Sequence, residues 1–420
     1  MESIFVQGVL LNGEITDILI EGQYISCIGS GIIAPADAIK IDGTRLVALP
    51  TFSNMHTHAA MTLLKGIGSD RPLQQWLNDC IWPTEKKLDG EAVYWGVKLA
   101  CLEMIKSGTT LFNDMYFLLP YAAKAVSEMG IRGVLGYTVF GDGDELTDDF
   151  FLRLREDVES SGGLLSLSLA PHAVYTVSRK GLVRSAEMSQ KYGTLYHIHM
   201  AETEYEVQQC LQKHGVRPYV LLERLGVLNT TEGRFVGAHS LFLDLEEIKL
   251  MSQHNLTVVH NPASNLKLGS GYRFLYPQLR DAGVNVTIGT DGSASSNNLD
   301  MIEAARFMSY LQKGVHQDPT MLPTSELLQV ATENGFNAVG VNTGRIAKGK
   351  LADLMLVDLD NMAFVPQDDV LSGLFYAAHS DAVDTVICNG RILMHHHHVE
   401  GEEEIVAQAR RQAVRLRCSK

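Results

Sequence analysis

The chain has 420 residues, enough for two domains or for one large barrel with an appendage. Hydrophobic residues make up 45% and charged residues 20%, an ordinary globular mix, and no apolar run is long enough to span a bilayer. Lys and Arg number 35 against 49 Asp and Glu, and the resulting charge of −14 disfavours a nucleic-acid groove but not an uncharged nucleoside, which has no phosphates to repel.

The N-terminus "MESIFVQGVLLNGEITDILIEG" lacks the basic region and cleavage site of a signal peptide. Six cysteines without a framework spacing predict free thiols in a reducing cytoplasm. Residues 3–49 read as short strands, "SIFVQGVLLNG", "DILIEG", "YISCIG" and "TRLVALP", punctuated by Gly, Asn and Asp. The same texture returns late, in "LADLMLVDL" and "DTVICNGRILM". The expected organisation is a composite β-sandwich from 1–49 and 346–420, including a C-terminal helix, around a catalytic domain at 50–345. That helix, at 401–417, carries Glu early and Arg late, as a helix dipole prefers. The run "HHHH" at 395–398 predicts a polar turn or edge strand. Four histidines on an extended chain alternate between faces and cannot converge on one ion.

Between the ends, apolar runs alternate with amphipathic helical segments. The strand candidates are "LVALPTFSNMH", "TTLFNDM", "IRGVLGYTVF", "LLSLSLAPH", "TLYHIHMAE", "RFVGAHS", "LTVVHNP" and "NVTIGTDGS". After the first comes "EAVYWGVKLACLEMIKSG", with helical periodicity and a terminating Gly108. Eight strands, most followed by a helix, predict an α/β fold, a (β/α)8 TIM barrel. A doubly wound open sheet would want a Gly-rich turn after its first strand, and none is present.

Polar residues cluster where these runs end: His56 and His58, His172, His199 and Glu202, His239, and Asp291. A barrel brings the C-terminal ends of its strands to one face, so residues far apart in sequence meet there. Residues i and i+2 of a strand share a side, so His56 and His58 can reach one ion, with His199 and Asp291 completing the set. Three imidazoles and a carboxylate suit catalytic zinc, or ferrous iron. Such an ion lowers the pKa of a bound water towards about 7. Glu202, just past its strand, is the expected proton carrier. His239 would orient the water, and Asp291 can both ligate and accept a proton. His197 lies one layer deeper and reads as a packed or supporting residue. His254 and His260 carry the same reading, with His260 expected as a structural hydrogen-bonder.

At this point the sequence resembles the amidohydrolase superfamily over essentially its whole length. "NPASNLKLGSG" (261–271), "GTDGSASSNNLDM" (289–301), "HTHAAMTLLKGIGSDRPLQQWL" and "HMAET" resemble the 5′-methylthioadenosine/S-adenosylhomocysteine deaminases. The resemblance implies one metal at His56, His58, His199 and Asp291, with Glu202 and His239 handling protons. It also implies substrate contacts at Glu85, for the ribose hydroxyls, and at Trp76, His172 and Glu202. Dinuclear relatives carry a carboxylated lysine at the end of strand four. Here that strand ends in "APHAVYT", without a lysine. Cytidine-type zinc deaminases use H-x-E with P-C-x-x-C, and neither is present.

The reaction so implied is hydrolytic deamination at C6 of adenine in a 5′-modified adenosine: 5′-methylthioadenosine, 5′-deoxyadenosine, S-adenosylhomocysteine or adenosine. Where a relative places an arginine for the homocysteine carboxylate, this chain reads "GDGDELTDDFF", followed by Arg153 and Arg155. An acidic loop repels a carboxylate, so an uncharged 5′ group is favoured. Two alternatives stay open. One is another amidohydrolase reaction: a free-base or pterin deaminase, or a triazine hydrolase. The other is a non-catalytic nucleoside sensor, which would be expected to have lost a ligand or Glu202. No membrane or nucleic-acid partner is expected. Relatives assemble as homo-oligomers, though no stretch declares an interface.

Overall fold

A computed structural model describes residues 3–160, 163–366 and 369–418. Strands β1 (Ile4–Leu11), β2 (Glu14–Glu21), β3 (Tyr24–Gly29), β4 (Ile39–Asp42) and β5 (Leu46–Pro50) open the chain. The β1–β2 hairpin turns at Asn12 and Gly13, with φ of 51° and 87°. This is the Asn-Gly pair whose left-handed backbone matches the twist of two antiparallel strands.

Eight parallel strands follow: β6 (Phe52–Thr57), β7 (Thr109–Tyr116), β8 (Arg132–Val139), β9 (Leu165–Pro171), β10 (Tyr196–Met200), β11 (Phe235–His239), β12 (Thr257–His260) and β13 (Asn285–Ile288). They pair in chain order from β6 to β13. The ring comes round beyond β13, where the Asp291 amide donates to the His56 carbonyl at 2.9 Å and the Thr290 amide to Asn54 Oδ1 at 3.0 Å. The fold is the expected TIM barrel. Its strands are buried on both faces, β7 at every position, as parallel strands under helices must be. The helix Gly90–Lys106 stops before Gly108, whose φ of 84° only glycine adopts freely. A Cβ there would also approach Met355 Sδ to 2.4 Å.

The first predicted barrel run divides in two. Pro50 has no N–H to continue a ladder, so Leu46–Pro50 leaves the barrel and pairs with late strand β14 (Leu354–Asp358). With β15 (Val383–Cys388) and β16 (Arg391–Met394), the two ends form one sheet of order β16-β15-β14-β5-β1-β2-β3, and β4 pairs with β1. This sheet has its own core, including Ile4, Val6, Ile18, Leu354 and Ile387. Arg132 of β8 fastens it to the barrel by donating twice to buried Asp353, at 2.8 and 3.0 Å.

Sequence order groups the last helix, Glu402–Cys418, with these strands. Its contacts lie instead with the barrel helix Gly90–Lys106. Ile405, Ala409 and Leu416 join the barrel's core, Lys106 pairs with Glu402 at 2.7 Å, and Arg415 grips Asp89. Among the described residues, no helix is long and apolar enough to cross a membrane.

Candidate active site

The structure brings His56, His58, His199 and Asp291 together at the C-terminal mouth of the barrel. His58 Nε2 lies 3.3 Å from His199 Nε2 and 3.3 Å from Asp291 Oδ1, and His56 Nε2 lies 3.5 Å from the same oxygen. His58 Nδ1 donates to the Met115 carbonyl at 2.7 Å, and His199 Nδ1 to the His172 carbonyl at 2.8 Å. A backbone carbonyl only accepts, so each Nδ1 carries a hydrogen and each neutral ring turns a lone pair inward at Nε2. Two lone pairs facing at 3.3 Å need a proton or a cation between them. His56 Nε2 adds a buried nitrogen with no hydrogen-bond partner. This donor set fits a divalent ion. Without one, burial disfavours the His58 cation, but Asp291, by hydrogen bond and charge, raises it to about 9. Burial dominates at His56 and lowers it to about 4.

Asp291 is held by its neighbours. Its Oδ2 accepts from Ser264 Oγ at 2.6 Å, and its Oδ1 from the Gly292 amide at 2.7 Å. Burial works against its charge, but His56 and His58 outweigh that and keep it well below the usual carboxylate range. His197 stands behind His56, its Nε2 2.9 Å from His56 Nδ1, in the supporting position expected of it.

His239 also approaches the cluster, close enough to His56 and Asp291 to count as a donor. Its hydrogen bonds argue otherwise. Asn265 Nδ2 (2.9 Å) and Asn261 Nδ2 (3.3 Å) both donate to its Nδ1. The remaining hydrogen therefore sits on Nε2, which faces Glu202 Oε2 at 3.8 Å. A protonated nitrogen cannot ligate, but it can orient a water or steady developing charge.

Glu202 is buried, and Ser270 Oγ donates to its Oε1 at 3.1 Å. Burial raises its pKa, against the pull of His239. It is presented by a turn in which Ala201 has φ 47°. The Glu206 carboxylate clamps that turn, accepting from the Ala201 amide at 2.8 Å and the Glu202 amide at 2.9 Å. Glu206 itself starts the next helix, where its amide donates to Thr203 Oγ1. Sequence reasoning passed over this residue, although T-E-Y-E at 203–206 carries the spacing of a capping box. It also passed over Asn261, Ser264 and Asn265, whose i, i+3, i+4 spacing puts all three on one helical face.

A cavity opens above these groups. Glu85, His172, Trp76, Tyr116, Phe140 and Tyr175 are among its lining residues. Glu85 is raised by burial, opposed by the Tyr116 phenol and by His58. Trp76 is anchored by donating from Nε1 to the Ile67 carbonyl at 2.9 Å. His172 stacks on Phe140 with centroids 5.0 Å apart. Burial and the neighbouring imidazoles lower it to about 3, so it stays neutral.

Two expectations change, and the open question of Arg153 and Arg155 is answered. The His260 ring makes no hydrogen bond: both its nitrogens are unpartnered, and it stacks on Phe274 at 4.2 Å. Two carboxylates of the acidic loop are paired, Asp144 with Lys180 and Arg184 and Asp148 with Lys191, which weakens the repulsion argument. Arg153 and Arg155 do not reach the site. Arg153 bonds the Asp149 carbonyl, and Arg155 bonds Glu159 and the Tyr192 carbonyl. Among the described residues, no Arg or Lys lines the cavity. His254 lies elsewhere, 3.0 Å from Glu223.

Known proteins similar to this chain are found both by sequence and by structure. The sequence profile described as "Amidohydrolase family" matches residues 47–393. A protein of Methanospirillum hungatei named 5′-deoxyadenosine deaminase is 44% identical over 380 residues, covering 89% of this chain and 84% of its own length. A 5-methylthioadenosine/S-adenosylhomocysteine deaminase 1 of Archaeoglobus fulgidus is 42% identical over 405 residues, covering 94% of each. Among solved structures, an adenosine deaminase from Xanthomonas campestris with bound zinc superposes with a TM-score of 0.92 at 31% identity, covering 99% of each chain.

Proposed function

The chain belongs to the amidohydrolase family and is a hydrolase of C–N bonds, and we propose that it removes the 6-amino group of adenine from a 5′-modified adenosine whose 5′ substituent carries no charge. The single observation that carries this reading is the division of roles around one point. His58 and His199 turn Nε2 lone pairs inward, Asp291 adds an oxygen, and His56 adds an unpartnered nitrogen. His239 turns an N–H towards Glu202 instead.

His56, His58, His199 and Asp291 would hold one divalent ion, zinc by analogy with the adenosine deaminase that contains it. When bound there, the ion makes a water acidic enough to serve as a nucleophile near neutral pH. The residues of the chain do the rest. Glu202, whose pKa burial raises, is placed to deliver a proton to ring nitrogen N1, so that C6 becomes tetrahedral without full negative charge on the ring. His239 Nε2–H and the Asp291 carboxylate hold the attacking oxygen in line. Of the two protons of the attacking water, one passes by way of the Asp291 carboxylate to the departing amine and the other restores Glu202, as ammonia and the inosine analogue, now C6=O and N1–H, leave.

Glu85 is suited to the ribose, because a carboxylate accepts from two vicinal hydroxyls at once. Trp76 and the His172–Phe140 stack offer apolar faces for the purine. Among the described residues the cavity offers no Arg or Lys for a homocysteine carboxylate, and this supports 5′-deoxyadenosine or 5′-methylthioadenosine over S-adenosylhomocysteine. The test is a panel of these nucleosides, with adenosine and free adenine, given to zinc-loaded protein while adenine absorbance converts to that of hypoxanthine. Turnover of the 5′-deoxy and 5′-methylthio compounds is expected to be fastest. Preference for free adenine, or no turnover of any adenosine, would contradict the assignment.

A further inference from the structure

The four histidines at 395–398 do not lie on an extended chain. The amides of His395 and His398 each donate to the other's carbonyl, at 3.1 and 3.0 Å, and close a tight turn. His396 and His397 take φ of 49° and 60°. Turns of this kind favour Asn-Gly, whose residues adopt the left-handed backbone more readily than histidine does. The turn also removes the reason for expecting neighbouring rings to point apart. His395 and His396 stack with centroids 3.9 Å apart.

Both rings lie over Asp384 of β15. Asp384 Oδ2 is 3.1 Å from His396 Nδ1, and its Oδ1 accepts from Thr385 Oγ1 at 2.6 Å. That bond uses the only hydroxyl hydrogen of Thr385, so at the 2.9 Å contact with His395 its oxygen accepts from His395 Nδ1. The Nε2 lone pair of a neutral His395 is thereby left free. This is how a supporting hydrogen bond prepares an imidazole ligand. One donor atom from each of Asp384, His395 and His396 lies within 4.8 Å of the others.

We propose that Asp384, His395 and His396 form a second cation site, on the terminal sheet and independent of the barrel, for a borderline divalent ion such as zinc, nickel or cupric ion. Two imidazoles and a carboxylate are the donors such ions select over calcium or magnesium. The His396 side chain is 76% exposed, so water completes the coordination and exchange is open to solvent. The site also has a structural position. The His397 carbonyl accepts from Lys106 Nζ at 2.8 Å, and Lys106 pairs with Glu402 at 2.7 Å. His398 Nδ1 lies 3.6 Å from the same carboxylate group. An ion that fixes this turn therefore steadies the junction of the last helix with Gly90–Lys106, and loading raises thermal stability by mass action.

The test is equilibrium dialysis of chelator-stripped protein against zinc, followed by elemental analysis. The H395A/H396A variant should hold one ion fewer per chain than the parent, with deamination retained, and H397A/H398A should lose none. The difference of one ion is read whatever the barrel holds. Cupric ion at the site should show splitting from two nitrogens in its electron paramagnetic resonance spectrum, and one nitrogen in H396A. Equal ion counts in parent and H395A/H396A, or loss of an ion in H397A/H398A, would overturn the proposal.

Discussion

Replacing Glu202 by Gln removes a proton carrier and little else. The side chain keeps its shape, Ser270 Oγ can still donate to the amide oxygen, and none of the proposed ion-holding groups is touched. What disappears is a buried acid whose pKa is lifted by desolvation. A positioned general acid or base is worth about 10²–10⁴ in rate. At 1.36 kcal/mol per decade this is about 2.7–5.4 kcal/mol of barrier. The expected result is a turnover of 5′-deoxyadenosine lower by that factor, with metal content and melting temperature unchanged. The pH profile gives a second readout. A carboxyl with a raised pKa holds its proton at low pH and loses it as pH rises through the raised value. The parent should therefore lose kcat/KM on an alkaline limb that E202Q, having nothing to titrate there, lacks. A metal-replete Gln variant within a few fold of the parent, with the same alkaline limb, would refute the role given to Glu202.

Other consequences follow from neighbouring residues. Hydrogen bonds to a charged acceptor are worth about 1.5–3 kcal/mol, so E85A should lower kcat/KM for ribosides about ten- to a hundredfold and leave free adenine unaffected. Equal losses on both would remove Glu85 from the ribose. Zinc uptake by stripped protein at pH 7 should release about one proton from the barrel site, because His58, raised to about 9 without the ion, must give up its hydrogen to become a ligand. Calorimetry in buffers of differing ionisation heat measures this, and a release of zero would contradict a protonated His58 in the ion-free site. E206A leaves the Ala201 and Glu202 amides without an acceptor in a buried turn, at about 1–3 kcal/mol each. It should therefore lower both the unfolding midpoint and kcat, and an unchanged midpoint would count against the clamp.

Much of this site is legible in the sequence because its geometry follows simple periods. His56 and His58 face one way because a strand repeats every two residues. His199, His239 and Asp291 join them because parallel barrel strands all end on one face. What was not legible depends on choices that several local patterns permit. "LVALPTFSNMH" is one apolar run, but Pro50 divides it between two sheets. The terminal helix follows the late strands in sequence, but Ile405, Ala409 and Leu416 pack into the barrel's core, with the Lys106–Glu402 and Asp89–Arg415 pairs beside them. The acidic residues after β8 look like a repulsive loop until Lys180, Arg184 and Lys191 are folded against them. The His239 tautomer rests on two asparagine amides 22 and 26 residues away, whose orientation no single-residue reading supplies.

The central claim is that one ion, gathered by His56, His58, His199 and Asp291, makes this chain a deaminase. The most direct measurement is ion content beside 5′-deoxyadenosine turnover in the H395A/H396A background, before chelation, after it, and after zinc is restored. The expected result is one ion per chain, with turnover that vanishes on chelation and returns with the metal. Full turnover by protein stripped of its ion would contradict it.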